Sequence, residues 1–225
     1  MNDITEDIII IGGGGFALEI YSYIIDENKF NIKGYINEKK DCELIERNKK
    51  LRYLGNIDDY NSKANDRALI CIGNPVIRRK IFSICNKKSL KLCSYFHPTS
   101  YISSSASIGK GVIVGPHCII SSNAVIESNV FLNVYCGVGH GARIGPNTIM
   151  SPYSVINGDC VLGEAVFLGS RVTLNPKIKV DSFSSIDSGC VLRGNVSKFS
   201  LVSQRVAQKT HENRILKDII LSETL

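Results

Sequence analysis

From residue 102 onward the chain places an aliphatic side chain at every sixth position: Ile102, Ile108, Val114, Ile120, Ile126, Leu132 and so on to Leu192, sixteen positions without an exception. The fifth place of each hexad is small or β-branched, as at Ala106, Val112, Cys118 and Ala124, and the second is often glycine, as at Gly109, Gly115, Gly139 and Gly145. A period of six matches neither the 3.6-residue repeat of a helix nor the alternation of a flat strand. It fits a parallel β-helix in which each hexad supplies one short strand and one corner, and the aliphatic residue points inward to stack on its equivalent in the next coil. The frequent glycines predict tight turns at the second place. No insertion breaks the count between residues 102 and 197.

The first hundred residues are patterned differently. "DIIII" at 7–11 reads as a buried strand, and it runs into "GGGGFALEIYSYI", whose apolar positions suit a packed helix beginning at the glycines. Strands at "IKGYIN" and "RALICIG", a helix from Pro75 to about Cys85 and a strand near "KLCSYF" complete a small α/β domain. Proline is favoured in the first turn of a helix, which agrees with "GNPVIRRKIF". Three segments follow: 1–97 as the α/β domain, 98–197 as the β-helix, and 198–225 as a tail. In the tail, apolar residues at 215, 216, 219 and 220 predict a short amphipathic helix that caps the open coil.

Hydrophobic residues make up 44% of the chain, enough for a buried core in each domain. The net charge of +6 is spread without a basic block and there is no Trp, which argues against a nucleic-acid groove and for small anionic ligands. "MNDITEDIII" lacks the basic flank of a signal peptide, and no stretch reaches the roughly 18 apolar residues of a membrane span, so a cytoplasmic protein is expected. Eight cysteines are present without a C-x-x-C pair. Those at 118, 136, 160 and 190 are separated by 18, 24 and 30 residues, multiples of six that make them inward fillers of the repeat.

Two places carry candidate chemistry. Gly12, Gly14 and Ala17 match G-x-G-x-x-A, where backbone N–H groups at a helix start can approach a phosphate. The segment before the repeats is short for a dinucleotide domain of about six strands, so a nucleotide or nucleotide sugar is the expected ligand. Arg78 could act as a fork on a diphosphate or lie on a solvated helix face. The second place is "VGHGARIG", where His140 stands between two glycines. His117 and His140 fall at the fourth and third places of hexads four repeats apart, hence on different faces, and no metal site is expected.

The Gly loop at 12–15, "GYIN" at 34–37, "YLGNIDDY" at 53–60, "CIGNPVIRRKIF" at 71–82, "FHPTSYIS" at 96–103 and the unbroken hexads together resemble the NeuD-like sugar O- and N-acyltransferase family. The resemblance covers about residues 7–197. It implies a Rossmann-like N-terminal domain holding a nucleotide-activated sugar, a left-handed parallel β-helix of three hexads per coil, and a homotrimer with acetyl-CoA lying between neighbouring subunits. By the same resemblance His140 is the general base, a role open to an imidazole because it titrates near working pH. Gly158, one coil of 18 residues onward, matches the residue whose N–H holds the thioester carbonyl, an interaction typically worth about 3 kcal/mol. Gly12, Gly13, Gly14, Asn37, Gly73, Asn74 and Arg78 match positions that contact the nucleotide sugar.

Three positions depart from the family pattern. An acid usually precedes the histidine, where this chain has Gly139; Asp159 and Asn157 are the candidates to orient the ring instead. Asn37 replaces an acid, and Ile149 stands where a second histidine is associated with acetyl-CoA. The expected reaction is acetyl transfer from acetyl-CoA to the 4-amino group of a UDP- or dTDP-linked dideoxy sugar for a surface glycan. The alternatives are O-acetylation of a sugar such as sialic acid, and a non-catalytic module that binds a nucleotide sugar.

Overall fold

The computed structural model describes residues 7–28, 30–47 and 50–204. The expected helix at 215–220, and His211 with it, lie outside the described residues. Strands β1 (Asp7–Ile11), β2 (Asn31–Ile36), β3 (Arg67–Ile70) and β4 (Lys91–Leu92) form a parallel sheet in the order β2-β1-β3-β4. β1 is central and covered on both faces, so Ile8, Ile9, Ile10 and Ile11 are all buried and the strand past the exposed Asp7 is apolar rather than alternating. Ile8 and Ile10 pack against helix α1 (Gly15–Glu27); Ile9 and Ile11 share a core with helix α3 (Pro75–Lys87). A five-residue helix α2 (Glu43–Arg47), which the hydrophobic pattern does not suggest, is tied to the Gly loop by the Leu44 N–H donating to the Gly13 carbonyl at 2.9 Å.

From Tyr95 onward every strand is two residues long, and each up to Thr173–Leu174 pairs in parallel with the strand 18 residues later, as Tyr95 with Ile113, Ile113 with Phe131 and Phe131 with Ile149. Sheets of seven, six and five strands make the three sides of the coil. Side one presents Ile113, Phe131 and Ile149 outward, side two Tyr101, Ile119 and Val191, and side three Ser107, Arg143 and Lys179. The hexad aliphatics from Val114 to Leu192 are buried, each worth about 1.5–3 kcal/mol of transfer free energy. Cys118, Cys136, Cys160 and Cys190 are free and fill the interior.

The glycines do a different job from the one the sequence suggests. The left-handed backbone recurs at the fourth place, at Asn123, Asn129, Asn147 and Asp159 with φ between 58° and 63°, residues whose short polar side chains tolerate it. At the second place the constraint is close approach between coils: a methyl on Gly109 would stand 2.6 Å from the backbone nitrogen of Ser128. The repeat changes after Leu192, where Ser185 pairs with Leu201, a coil shortened to 16 residues.

The N-terminal domain packs on side one of the coil. The Phe16 ring meets Phe131 at a centroid distance of 3.9 Å, and Ala17, Ile20 and Ile24 share a cluster with Ile113, Phe131 and Ile149. The strand expected near 91–96 divides between the domains: Lys91–Leu92 pairs with β3, whereas Tyr95–Phe96 already belongs to the coil. Among the described residues no helix is long and apolar enough to cross a membrane.

Candidate active site

The carboxyl ends of β1 and β3 open into a cavity of about 720 Å³, a volume suited to a small organic ligand. Gly12, Gly13 and Gly14 form one wall, Asn37 and Glu38 follow β2, Asn56 and Asp58 come from the segment before β3, and Gly73, Asn74 and Lys80 come from β3 and α3. Gly12 has φ +127° and a methyl there would meet the Cys71 carbonyl oxygen at 2.5 Å, so glycine alone lets the chain pass. A methyl on Gly13 would crowd Cys42 Sγ at 2.7 Å, whereas Gly14 faces open space. The start of α1 has no side-chain cap and no acid in its first turn, while α3 is capped by Asn74 Oδ1, which accepts from the N–H groups of Val76 and Ile77 at 3.0 Å. Asn37 Nδ2 donates to the Lys39 carbonyl at 3.0 Å.

Six of the seven residues expected around a nucleotide sugar therefore line one cavity, and the seventh does not. Arg78 is entirely buried on the opposite face of α3. Its Nε donates to the Asn129 carbonyl at 2.7 Å and its Nη1 to the Ile70 carbonyl. Asn129 Nδ2 returns a bond to the Arg78 carbonyl at 3.3 Å and reaches Asn147 Oδ1 at 2.8 Å. Burial pulls the guanidinium down to about 10, against the field of Cys71. Arg78 is thus a clamp between the domains and not the fork on a diphosphate that the sequence suggests. Helix phase explains the difference: Ile77, Ile81 and Ile84 line the cavity at i, i+4 and i+7, which turns residue 78 and Cys85 inward. The same spacing, once the helix is started at Pro75, puts Lys80 beside the cavity, a residue the motif reading passes over.

His140 is exposed at the corner joining sides two and three, across the coil from the side that carries the N-terminal domain. Its ring lies over Gly158, where a methyl would stand 2.5 Å from Nε2 and 2.6 Å from Cε1. Among the described residues the Gly158 N–H donates to no group, while its carbonyl accepts from the Lys177 N–H at 2.9 Å. The position before the histidine has no room for an acid: a methyl on Gly139 would meet the Asn157 carbonyl carbon and the Gly158 nitrogen at 2.5 Å. Neither of the two side chains expected to orient the ring bonds to it. The Asn157 amide donates to the Leu174 carbonyl at 2.6 Å; the Asp159 carboxylate sits beside Gly141 while its N–H donates to the His140 carbonyl at 2.9 Å. Ile149 is buried beneath α1, so that position serves the domain junction.

The other histidines are placed elsewhere. His117 stands at the corner between sides one and two and opens a column of rings, with Tyr135 at 4.8 Å, Tyr153 a further 4.9 Å on, and the Arg171 guanidinium 5.5 Å from the Tyr153 centroid. His97 lies at the domain junction, with Nδ1 2.9 Å from Thr99 Oγ1. Among the described residues no group of three His, Cys, Asp or Glu is placed to hold a metal ion.

Residues 7–84 match the family described as the PglD N-terminal domain, and residues 123–158 match the bacterial transferase hexapeptide family of six repeats. The second match falls within the coil and shares its six-residue repeat. A PglD-type domain ahead of a hexapeptide-repeat coil is the combination that supports a NeuD/PglD-like family. No curated protein sequence matches it. Among solved structures it resembles the acetyltransferase domain of PglB from Neisseria gonorrhoeae at 19% identity and a TM-score of 0.77, over 88% of this chain and 96% of that one. A histidine-to-asparagine mutant of perosamine N-acetyltransferase from Caulobacter crescentus aligns at 20% identity with a TM-score of 0.78, over 87% and 92%. WeeI from Acinetobacter baumannii aligns at 19% with a TM-score of 0.74, over 87% and 96%. At these identities the likeness establishes a shared fold.

Proposed function

We propose that the protein transfers an acetyl group from acetyl-CoA to the amino group of a nucleotide-linked amino sugar, with His140 as general base and the Gly158 N–H as donor to the thioester oxygen. The observation that carries this reading is the exposed imidazole lying against a glycine one coil onward whose N–H has no partner among the described residues. A proton acceptor and an oxyanion donor side by side are what attack of an amine on a thioester needs. The cavity beside the Gly loop supplies a place for the nucleotide. Similar structures support the pairing of ligands: the Neisseria domain is also known with acetyl coenzyme A, and the Caulobacter enzyme with CoA and GDP-perosamine. Because His140 lies across the coil from the domain with the cavity, the site is completed between copies of the chain, and a cyclic trimer is the assembly proposed.

The test follows thiol release from acetyl-CoA with a panel of UDP-, dTDP- and GDP-linked 4-amino sugars beside free sialic acid. Turnover on an amino sugar that falls by about 10² to 10⁴ in His140→Ala is the expected result. Loss of less than about fivefold would remove His140 from the role of base. One feature favours a second reading, a binding module without catalysis: among the described residues nothing hydrogen-bonds the His140 ring to set its tautomer. Binding of a nucleotide sugar without any binding of acetyl-CoA, measured by calorimetry, would establish that reading instead.

A further inference from the structure

We propose that Lys80 is the side chain that holds the diphosphate of the nucleotide sugar, an inference that rests on reading the 720 Å³ cavity as the nucleotide-sugar pocket. The charges around the cavity point to this residue. Its described lining includes two carboxylates, Glu38 and Asp58, and a single cationic side chain, Lys80. The three consecutive cations on α3 have separate fates. Arg78 is buried in the domain junction, Arg79 is engaged by Glu164 through Nε to Oε1 at 2.5 Å, and Lys80 is exposed with no ion pair or hydrogen bond among the described residues.

Position strengthens the case. Lys80 and Ile84 also line a groove of about 600 Å³ between α3 and the coil, so Lys80 borders both the cavity and that groove. Glu38 and Asp58 repel a phosphate from the β2 side, and the uncapped start of α1 offers N–H donors with only the partial positive charge of a helix dipole. A diphosphate therefore needs a countercharge from the α3 side, and Lys80 supplies it as a mobile point charge suited to phosphate oxygens.

The experiment is calorimetric titration of the full chain with UDP, dTDP and GDP and with the matching nucleosides, at low and high salt, for wild type, Lys80→Met and Lys87→Met. Lys87 lines the groove but not the cavity, and both lysines are solvent-facing on α3, so equal melting temperatures are expected and are measured alongside. Lys80→Met is expected to weaken the preferred diphosphate by about tenfold and to flatten its salt dependence, while nucleoside affinity and Lys87→Met stay as in wild type. Diphosphate affinity within about twofold of wild type in Lys80→Met would overturn the assignment of Lys80 and leave the nucleotide pocket standing. If wild type binds none of the three diphosphates, the pocket reading itself fails, and Lys80 with it.

Discussion

The seat of His140 depends on the absence of one methyl group. With Gly158 replaced by Ala, the new carbon would stand 2.5 Å from Nε2, well inside van der Waals contact, and the ring must swing away from the Gly158 N–H. A displacement of about 1 Å at a reacting group can cost 10²-fold in rate, so Gly158→Ala is expected to lose about that much turnover. The melting temperature should hold, because the corner is partly exposed. Thiol release and a thermal melt on the same sample check both, and full activity in the Ala variant would mean that the ring's position over Gly158 is not the productive one. The sequence shows that these two residues are neighbours, since one coil separates them. It does not show why Gly139 cannot carry an acid, because that follows from the 2.5 Å approach of the next coil's backbone, a distance no spacing rule contains. Nor does it reveal that the Asn157 amide is already spent on the Leu174 carbonyl.

At the scale of elements, a strict period is easier to read than a single helix face. Sixteen hexads fix which side chains point inward, and every one from Val114 to Leu192 does. On α3 the same sequence holds three cations in a row, and only the phase of the helix decides that the first is buried, the second paired with Glu164 and the third exposed beside the cavity. The α2 turn escapes notice because five residues are too few to carry a periodic signal, and β4 and the first coil strand merge because "KLCSYF" reads as one short strand across a domain junction. The loop before β3 carries a polar device whose effect on stability can be worked out. Asp66 is buried and accepts from Lys33 on β2, from Tyr60 Oη at 2.7 Å and from the Lys63 N–H at 2.8 Å. Burial opposes its charge, but these donors outweigh it and hold the carboxyl below the usual range. A depressed folded-state value stabilises the protein above the unfolded carboxylate range, and that stability disappears as pH falls through the folded value. Asp66→Asn should therefore cost about 1–3 kcal/mol at neutral pH. The gap to wild type should close as the pH is lowered toward 3, and chemical denaturation at several pH values reads it. A gap that stays constant over that range would show that the charge on Asp66 is not what matters.

The whole chain is arranged so that its two candidate sites face apart. The N-terminal domain covers side one of a three-sided coil, and His140 sits at the corner where the other two sides meet. Side two, which borders that corner, carries no charged residue among its outward strand positions and exposes Tyr101, Ile119 and Val191, whereas side three carries Arg143 and Lys179. An uncharged, exposed side next to a candidate catalytic corner is the surface on which a second copy would be expected to pack. If it does, the cavity of one copy and the histidine of another make one site. Mixed assemblies test this. His140→Ala keeps an intact cavity; Gly14→Asp keeps the histidine but puts a like charge where the phosphates would lie, at a position open enough to accept a side chain. Each variant alone should be nearly inactive. Refolded together in equal amounts, they pair an intact cavity with an intact histidine at about a quarter of the interfaces of a closed ring, so about a quarter of wild-type activity should return. A site formed within one chain would leave the mixture as inactive as its components, because no subunit would then hold both intact halves. Sedimentation of the mixture against each homogeneous variant confirms that subunits have exchanged, so that silence of the mixture counts against a shared site.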